Sequence, residues 1–377
     1  MDGSDPRRLL IVVGEASGDR HAARLVHALR AQARWEIRGA AGPQLLAEGV
    51  TPVVDVADLA VLGFSGVVRR LPRILAALSR LEREARAFRP HAALLVDSPG
   101  FNFRIGPRLK ALGVPIYYYI APQVWAWHAS RARAMAGWVD RLAVIFPFEE
   151  PLFRAAGVNA RWVGHPLLEH LAPELDEAAF RAELNAAPGA RLLGILPGSR
   201  AQELEAHLPA MLAAARMLAE TRPDLVPVVA AAPGLERHRA LAHATPPVRV
   251  ARGRTHAVQA FSHAAMVASG TASLETALFG TPEVVGYRTG RLNYAIARRV
   301  VKLARIALPN IVAGEEVVPE RVQADFTCAA LARTVAPWLD DPAAESEARA
   351  RLAVVRAKLG GPGASARAAA WLAEMVT

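Results

Sequence analysis

Apolar residues along the chain gather in short runs that end in Gly, Pro or Ser and give way to stretches with helical spacing. The first run, Leu9 to Val13, leads into Gly14-Glu15-Ala16-Ser17-Gly18-Asp19 and then into Ala22, Leu25, Val26 and Leu29, one face of a helix. Ala92 to Val96, Ile116 to Ile120 and Leu142 to Ile145 repeat the rhythm. Runs that are apolar at every position suit strands of a parallel sheet covered on both faces, so βαβ units are predicted. After Gly164-His165-Pro166 the rhythm restarts: Leu192 to Leu196, Val226 to Ala230, Val248 to Ala251, Ala265 to Ala268 and Glu283 to Gly286. Two series predict an α/β protein of two Rossmann-like, doubly wound domains facing across a cleft, with a hinge near residue 166. The expected domains are 1–166 and 167–342. Ala/Arg-rich helices are expected over 343–377, packed on their own domain or crossing back to the first.

Composition narrows the class. The 377 residues are 53% hydrophobic and 21% charged, enough for two cores, which excludes a disordered polymer. One cysteine, Cys328, excludes a disulfide framework and a cysteine-cluster zinc site. Met1 to Arg8 is polar and only five apolar residues follow before Gly14, too few for a secretory signal. With no uninterrupted apolar stretch near 18 residues, a cytosolic protein is expected. The net charge of +10 predicts attraction to phosphate-bearing partners. Residues 66–89 carry seven arginines and two glutamates, and residues 288–305 six basic residues and no acid. Few aromatics interleave with these runs, so nucleic acid is not the expected partner. Residues 62–81 instead alternate apolar and basic positions. Either they form a core helix with a solvated face, or Phe64 dips into acyl chains while Arg69, Arg70 and Arg73 lie at headgroup level.

In open α/β sheets ligands sit at the carboxyl ends of strands, so the turns there are where chemistry is sought. Pro197-Gly198-Ser199-Arg200 joins an apolar run to a helix opening with Gln202, Glu203 and Glu205. Ser199 can cap that helix, Gly198 permits close approach of a ligand to the backbone, and Arg200 adds a fork of donors; together they suit a diphosphate. A plain strand-to-helix turn with a solvated arginine would read the same. Ser269, Gly270, Thr271 and Ser273 form a second anion-compatible turn, with Glu275 either binding a ribose diol or stabilising the helix start. The first turn fits neither G-x-G-x-x-G nor a P-loop. Glu15 and Asp19 there, with Ser17, suit sugar hydroxyls, or Ser17 and Asp19 cap the next helix. Asp97 stands at the end of a buried run, where partial desolvation raises a carboxyl toward the range of a general base, with Asn102 nearby. An Asp that merely caps the Asp-Ser-Pro turn is the plainer alternative. The spacing of His, Asp, Glu and Cys signals neither a nucleophilic triad nor a metal site, and His165 and His128 read as structural.

Several motifs occur together and in order. They are Gly14 to Asp19, Asp97-Ser98-Pro99-Gly100-Phe101-Asn102, Pro122-Gln123-Val124-Trp125-Ala126-Trp127 and Phe146-Pro147-Phe148-Glu149, then Gly164-His165-Pro166 and Leu196-Pro197-Gly198-Ser199-Arg200. Ser269 to Glu275, Val285-Gly286-Tyr287-Arg288 and Leu308-Pro309-Asn310 complete the set. In these the chain resembles, from about residue 9 to 335, the lipid-A-disaccharide synthases, inverting glycosyltransferases of the GT-B architecture. The resemblance implies an enzyme peripheral to the cytosolic face of the Gram-negative inner membrane. It would join UDP-2,3-diacylglucosamine to 2,3-diacylglucosamine 1-phosphate (lipid X), releasing UDP, with no cofactor and no metal, and an oligomer is compatible. Carried over residue by residue, Asp97 looks like the base, Arg200 the stabiliser of the departing diphosphate, Asn310 a further catalytic residue, Glu275 the ribose acid and Gln123 a substrate contact. Many members carry a second aspartate where this chain has Gly100, so no role is placed there. Another UDP-sugar enzyme of the same architecture, or a non-catalytic basic lipid- or nucleic-acid-binding module, is the competing reading.

Overall fold

The computed structural model describes residues 5–59, 64–123, 129–290, 294 and 305–376, with the backbone alone at 64–70 and 129. The chain divides into two units, Met1–Glu169 with Gly361–Thr377, and His170–Gly360. In the first, seven strands form one sheet: β1 (Arg7–Val13), β2 (Trp35–Ala41), β3 (Thr51–Asp55), β4 (Ala92–Val96), β5 (Ile116–Tyr119), β6 (Arg141–Val144) and β7 (Ala160–Trp162). Their spatial order is β3-β2-β1-β4-β5-β6-β7 and every neighbouring pair is parallel. All five residues of β4 are fully buried, as unbroken apolar character requires of a strand covered on both faces. The helix Ala16–Arg30 buries Ala22, Leu25, Val26 and Leu29. The helix Phe64–Phe88 buries Ile74, Ala77, Leu78, Leu81 and Ala85 in a core shared with Leu10, Val12, Leu95 and Tyr118 of the sheet, and Phe88 is also buried.

The second unit holds β8 (Arg191–Leu196), β9 (Leu225–Ala231), β10 (Arg249–Arg252), β11 (Ala264–Ala268), β12 (Glu283–Tyr287) and β13 (Glu320–Val322), in order β10-β9-β8-β11-β12-β13, again all parallel. Both units are therefore the doubly wound α/β type that the sequence predicts. The tail splits between them. The helix Pro342–Leu359 stays with the second unit, and Ala364–Ala373 belongs to the first. There Trp371 meets Tyr117 edge-on at 5.6 Å, and the Tyr117 hydroxyl donates to Ala368 O at 2.8 Å.

In each sheet the strand order reverses once: between β1 and β4 in the first, between β8 and β11 in the second. These reversal points open a crevice where a ligand meets the ends of two adjacent strands. The four turns singled out from the sequence, after Val13, Val96, Leu196 and Ala268, are the four that flank them.

Candidate active site

At the end of β4 the backbone turns left-handed at two consecutive residues, Asp97 (φ 47°) and Ser98 (φ 40°). Such a pair costs about 1–3 kcal/mol per residue and persists only where its surroundings hold it. Here the surroundings are explicit. Asp97 N–H donates to Tyr119 O at 3.0 Å, while Asp97 O accepts from the Tyr118 hydroxyl and, at 2.8 Å, from Asn102 Nδ2. The same Asn102 amide reaches Val96 O at 3.2 Å. Gly14 makes room from the neighbouring turn, because a Cβ there would stand 2.5 Å from Ser98 Oγ. The Asp97 side chain is thus aimed by a clamp on its own carbonyl. Burial pushes its carboxyl up to about 6, the charge of Glu15 adds to the rise, and the Ser98 N–H opposes it. Burial also holds the Tyr118 hydroxyl neutral, as a donor to Asp97 O.

Glu15 is exposed and Ser17 half-buried at the start of the helix Ala16–Arg30. Asp19 is engaged by the backbone of a neighbouring turn. It is 1% exposed and accepts from the N–H groups of Gly42, Gln44 and Leu45, at 2.9, 2.9 and 3.3 Å, capping the short helix Pro43–Ala47. Three backbone donors outcompete a sugar hydroxyl for that carboxylate. Asn102 is wholly buried, so it supports Asp97 rather than touching substrate. Gln123 is exposed beyond β5, whereas residues 124–127 of its motif lie outside the described residues, as do His128 and the side chains of Phe64, Arg69 and Arg70. Arg73 is exposed. His165 is buried, accepts from Leu167 N–H at 3.2 Å and lies 5.1 Å from the Phe146 ring.

In the second unit the turn after β8 opens the helix Ala201–Glu220. Glu203 closes it: its Oε2 accepts from Ser199 N–H at 3.0 Å and Arg200 N–H at 3.3 Å, and its Oε1 meets the Arg200 guanidinium at 2.7 Å. A Cβ on Gly198 (φ 123°) would run into Glu203 at 2.5 Å, so this turn needs glycine. Ser199 is exposed and the Arg200 side chain 71% exposed, presenting a charged fork at the positive end of the helix. Across the strand reversal, Ser269 Oγ donates to Ile306 O at 2.8 Å while Gly270 and Thr271 begin the helix Thr271–Phe279. Ser273 is fully buried and donates to Gly270 O at 2.8 Å, closing the turn. Glu275 accepts from Gln259 Nε2 at 3.2 Å and stands 3.9 Å from His256 Nε2. That neighbour raises the His256 pKa, chiefly by hydrogen bonding.

Asn310, expected among the catalytic groups, is instead an interior clasp. Nothing of it is exposed. Its Nδ2 donates to Val318 O (2.8 Å) and Glu320 Oε1 (2.9 Å), and its Oδ1 accepts from Val317 and Val318 N–H (2.8 and 2.9 Å). An amide with both donors and both lone pairs engaged has nothing left for a substrate. Glu320 completes the clasp by accepting from Ile306 and Ala307 N–H. Tyr118, Gln259 and His256 give no local signal in the sequence, because they sit in ordinary apolar or helical contexts.

Residues 9–368 match the family model described as lipid-A-disaccharide synthetase. The chain belongs to this family. A lipid-A-disaccharide synthase of Anaeromyxobacter sp. (strain K) is 44% identical over 96% of each chain, and that of Myxococcus xanthus (strain DK1622) is 41% identical over 99% of this chain and 98% of its own. Among solved structures, the UDP-GlcNAc 2-epimerase of Neisseria meningitidis (TM-score 0.67, 13% identity, 97% and 100% covered) and Acinetobacter baumannii MurG (0.60, 13%, 98% and 100%) share its fold. The family members are glycosyltransferases. The clusters described above fall at the strand reversals of two separate sheets of this chain.

Proposed function

We propose that the chain transfers a diacylglucosamine from UDP-2,3-diacylglucosamine to the 6-hydroxyl of lipid X, giving the β-1,6 disaccharide 1-phosphate and UDP. The end-to-end family match carries this reading. Asp97 takes the hydroxyl proton as the acceptor oxygen attacks the anomeric carbon. A carboxyl raised to about 6 is ionised at neutral pH yet far more basic than an ordinary aspartate. The C1–O bond breaks with its electron pair leaving on the β-phosphate of UDP. Arg200 and the helix openings after β8 and β11 supply donors to that growing charge. Glu275, steadied by Gln259 and His256, takes the ribose diol. Glu15, Ser17 and Gln123 contact the acceptor sugar, and Ser199, Ser269, Gly270 and Thr271 line the donor site.

Incubation with UDP-diacylglucosamine and, separately, with UDP-GlcNAc tests the assignment: turnover of the non-acylated donor alone would end it. Acylated substrates require contact with a membrane, and no helix among the described residues is long and apolar enough to cross one. Peripheral binding is supported by Leu71 and Leu75, 45% and 49% exposed one turn apart, beside Arg73. Glutamate at Arg69, Arg70 and Arg73 should lower association with anionic vesicles at low salt, and unchanged association would refute the contact.

A further inference from the structure

The imidazole of His207 joins two turns of the donor unit that sequence separates widely. His207 sits in the second turn of the helix Ala201–Glu220 and is fully buried. Its Nδ1 lies 2.8 Å from Pro197 O, the carbonyl that opens the turn after β8. Its Nε2 lies 3.0 Å from Arg288 N and 3.1 Å from Arg288 O, just beyond β12. A carbonyl only accepts, so the hydrogen is on Nδ1; Nε2 then accepts from Arg288 N–H, and one neutral tautomer satisfies both turns. Tyr287 and Phe326 hold the ring, with centroids at 5.5 and 5.4 Å.

The consequence follows from peptide geometry. In a trans peptide the C=O and the following N–H point in opposite directions. Anchoring Pro197 O on His207, on the inner side, therefore turns Gly198 N–H to the outer side of the turn. The next two N–H groups, of Ser199 and Arg200, are directed at Glu203 Oε2. Gly198 N–H is the one whose direction His207 controls. The second bond registers Tyr287 and Arg288 against the same turn, which explains why the Val285-to-Arg288 motif accompanies Pro-Gly-Ser-Arg in this chain although β12 is not next to β8.

We infer that His207 is a positioning residue for the donor: it orients the Pro197–Gly198 peptide so that Gly198 N–H meets the UDP diphosphate, and it ties Arg288 to that turn. The inference rests on the proposed use of UDP-sugar. Replacements separate its two bonds from its packing. Asn keeps a donor where Nδ1 stands, Gln keeps a group where Nε2 stands, and Phe keeps the aromatic contacts alone. UDP affinity by calorimetry should stay within roughly threefold of wild type in His207→Asn and fall roughly tenfold or more in His207→Gln and His207→Phe. In steady state the Gln and Phe variants should raise donor KM while acceptor KM stays constant. Equal UDP affinity in the Asn and Gln variants overturns the inference. So does a loss of kcat with both KM values unchanged, the mark of a merely misfolded fraction. Should Phe fail to fold, the Asn and Gln pair decides. If the wild type itself does not bind UDP, the functional reading falls and takes this inference with it. UDP binding that Arg200→Ala weakens and His207→Gln does not would sink the inference alone.

Discussion

Asp97→Asn should yield a protein that is inactive and more stable. The side chain keeps its shape, and asparagine tolerates the left-handed backbone at φ 47° as well as aspartate does. What changes is the charge. The folded carboxyl sits at about 6 against 3.8 for an unburied aspartate. A rise of about two pH units corresponds to roughly 3 kcal/mol, held against folding whenever the group is ionised. Between pH 4 and 6 the folded state binds more protons than the unfolded one, so wild-type stability declines across that window and is flat above it. Removing the charge should therefore raise the melting temperature by several degrees at pH 7.5, and the gain should vanish near pH 4. Transfer should fall about 10²–10⁴-fold, the usual worth of a general base. UDP binding should survive, because the donor turns belong to the other unit, whereas Arg200→Ala should lose it. Thermal unfolding at the two pH values and steady-state transfer measure all of this. A variant no more stable at pH 7.5 than at pH 4, relative to wild type, would refute the account of Asp97 as a desolvated base; so would retained transfer.

Three further expectations follow from single groups. The acid limb of kcat/KM, set by Asp97 near pH 6, should move to lower pH in Glu15→Gln, because one cause of the raised value is gone, yet stay above an ordinary aspartate because burial is the larger cause; an unmoved limb would remove Glu15 from the site. Asn310→Ala leaves Val317 and Val318 N–H, Val318 O and Glu320 without that amide and should cost about 2–4 kcal/mol of stability while donor KM holds; lost turnover at unchanged melting temperature would return Asn310 to the chemistry. Glu283, at the start of β12, is 1% exposed, neither carboxyl oxygen has a hydrogen-bond partner among the described residues, and burial holds its pKa well above the usual range. Its folded value being raised, stability falls as pH climbs from about 4.5 upward, so Glu283→Met should melt higher than wild type at pH 8, by about 1 kcal/mol or more, and less so at pH 5; a variant that melts lower at pH 8 would contradict this.

The fold was legible where burial is complete on both faces of a strand. β1, β4, β5, β6, β8, β9, β11 and β12 are unbroken or nearly unbroken apolar runs. β2 escaped because Glu36 and Arg38 interrupt it; the structure pairs them at 2.6 Å on its less buried positions. The strands β3, β7 and β13 lie at sheet edges, where one flank needs no partner and polar residues are tolerated: Glu320-Arg321-Val322 has no fully buried residue. The amphipathic helix over 62–81 was legible as a period but not in extent, since its buried stripe runs on past Leu81 to Ala85 and Phe88.

The site was legible as residue types at strand ends, and much less so as contacts. Asp19, Asn102, Ser273 and Asn310 are the polar residues a ligand would want, but the same donors and acceptors can close a turn, and a linear sequence does not say which partner is nearer. The outcome divides them by burial. Each of the four is at most 1% exposed and hydrogen-bonded to backbone, whereas Glu15, Ser199, Arg200 and Thr271 keep exposed surface. Burial with backbone partners makes a side chain part of the scaffold, because breaking those bonds to reach a substrate leaves polar groups stranded at a cost of about 1–3 kcal/mol each. The scaffold residues therefore matter through the neighbours they aim: Asn102 through the Asp97 carbonyl, and Asn310 through the segment ending in Glu320. Their loss should be felt as misdirection or instability, and loss of the exposed set as failed binding or failed proton transfer.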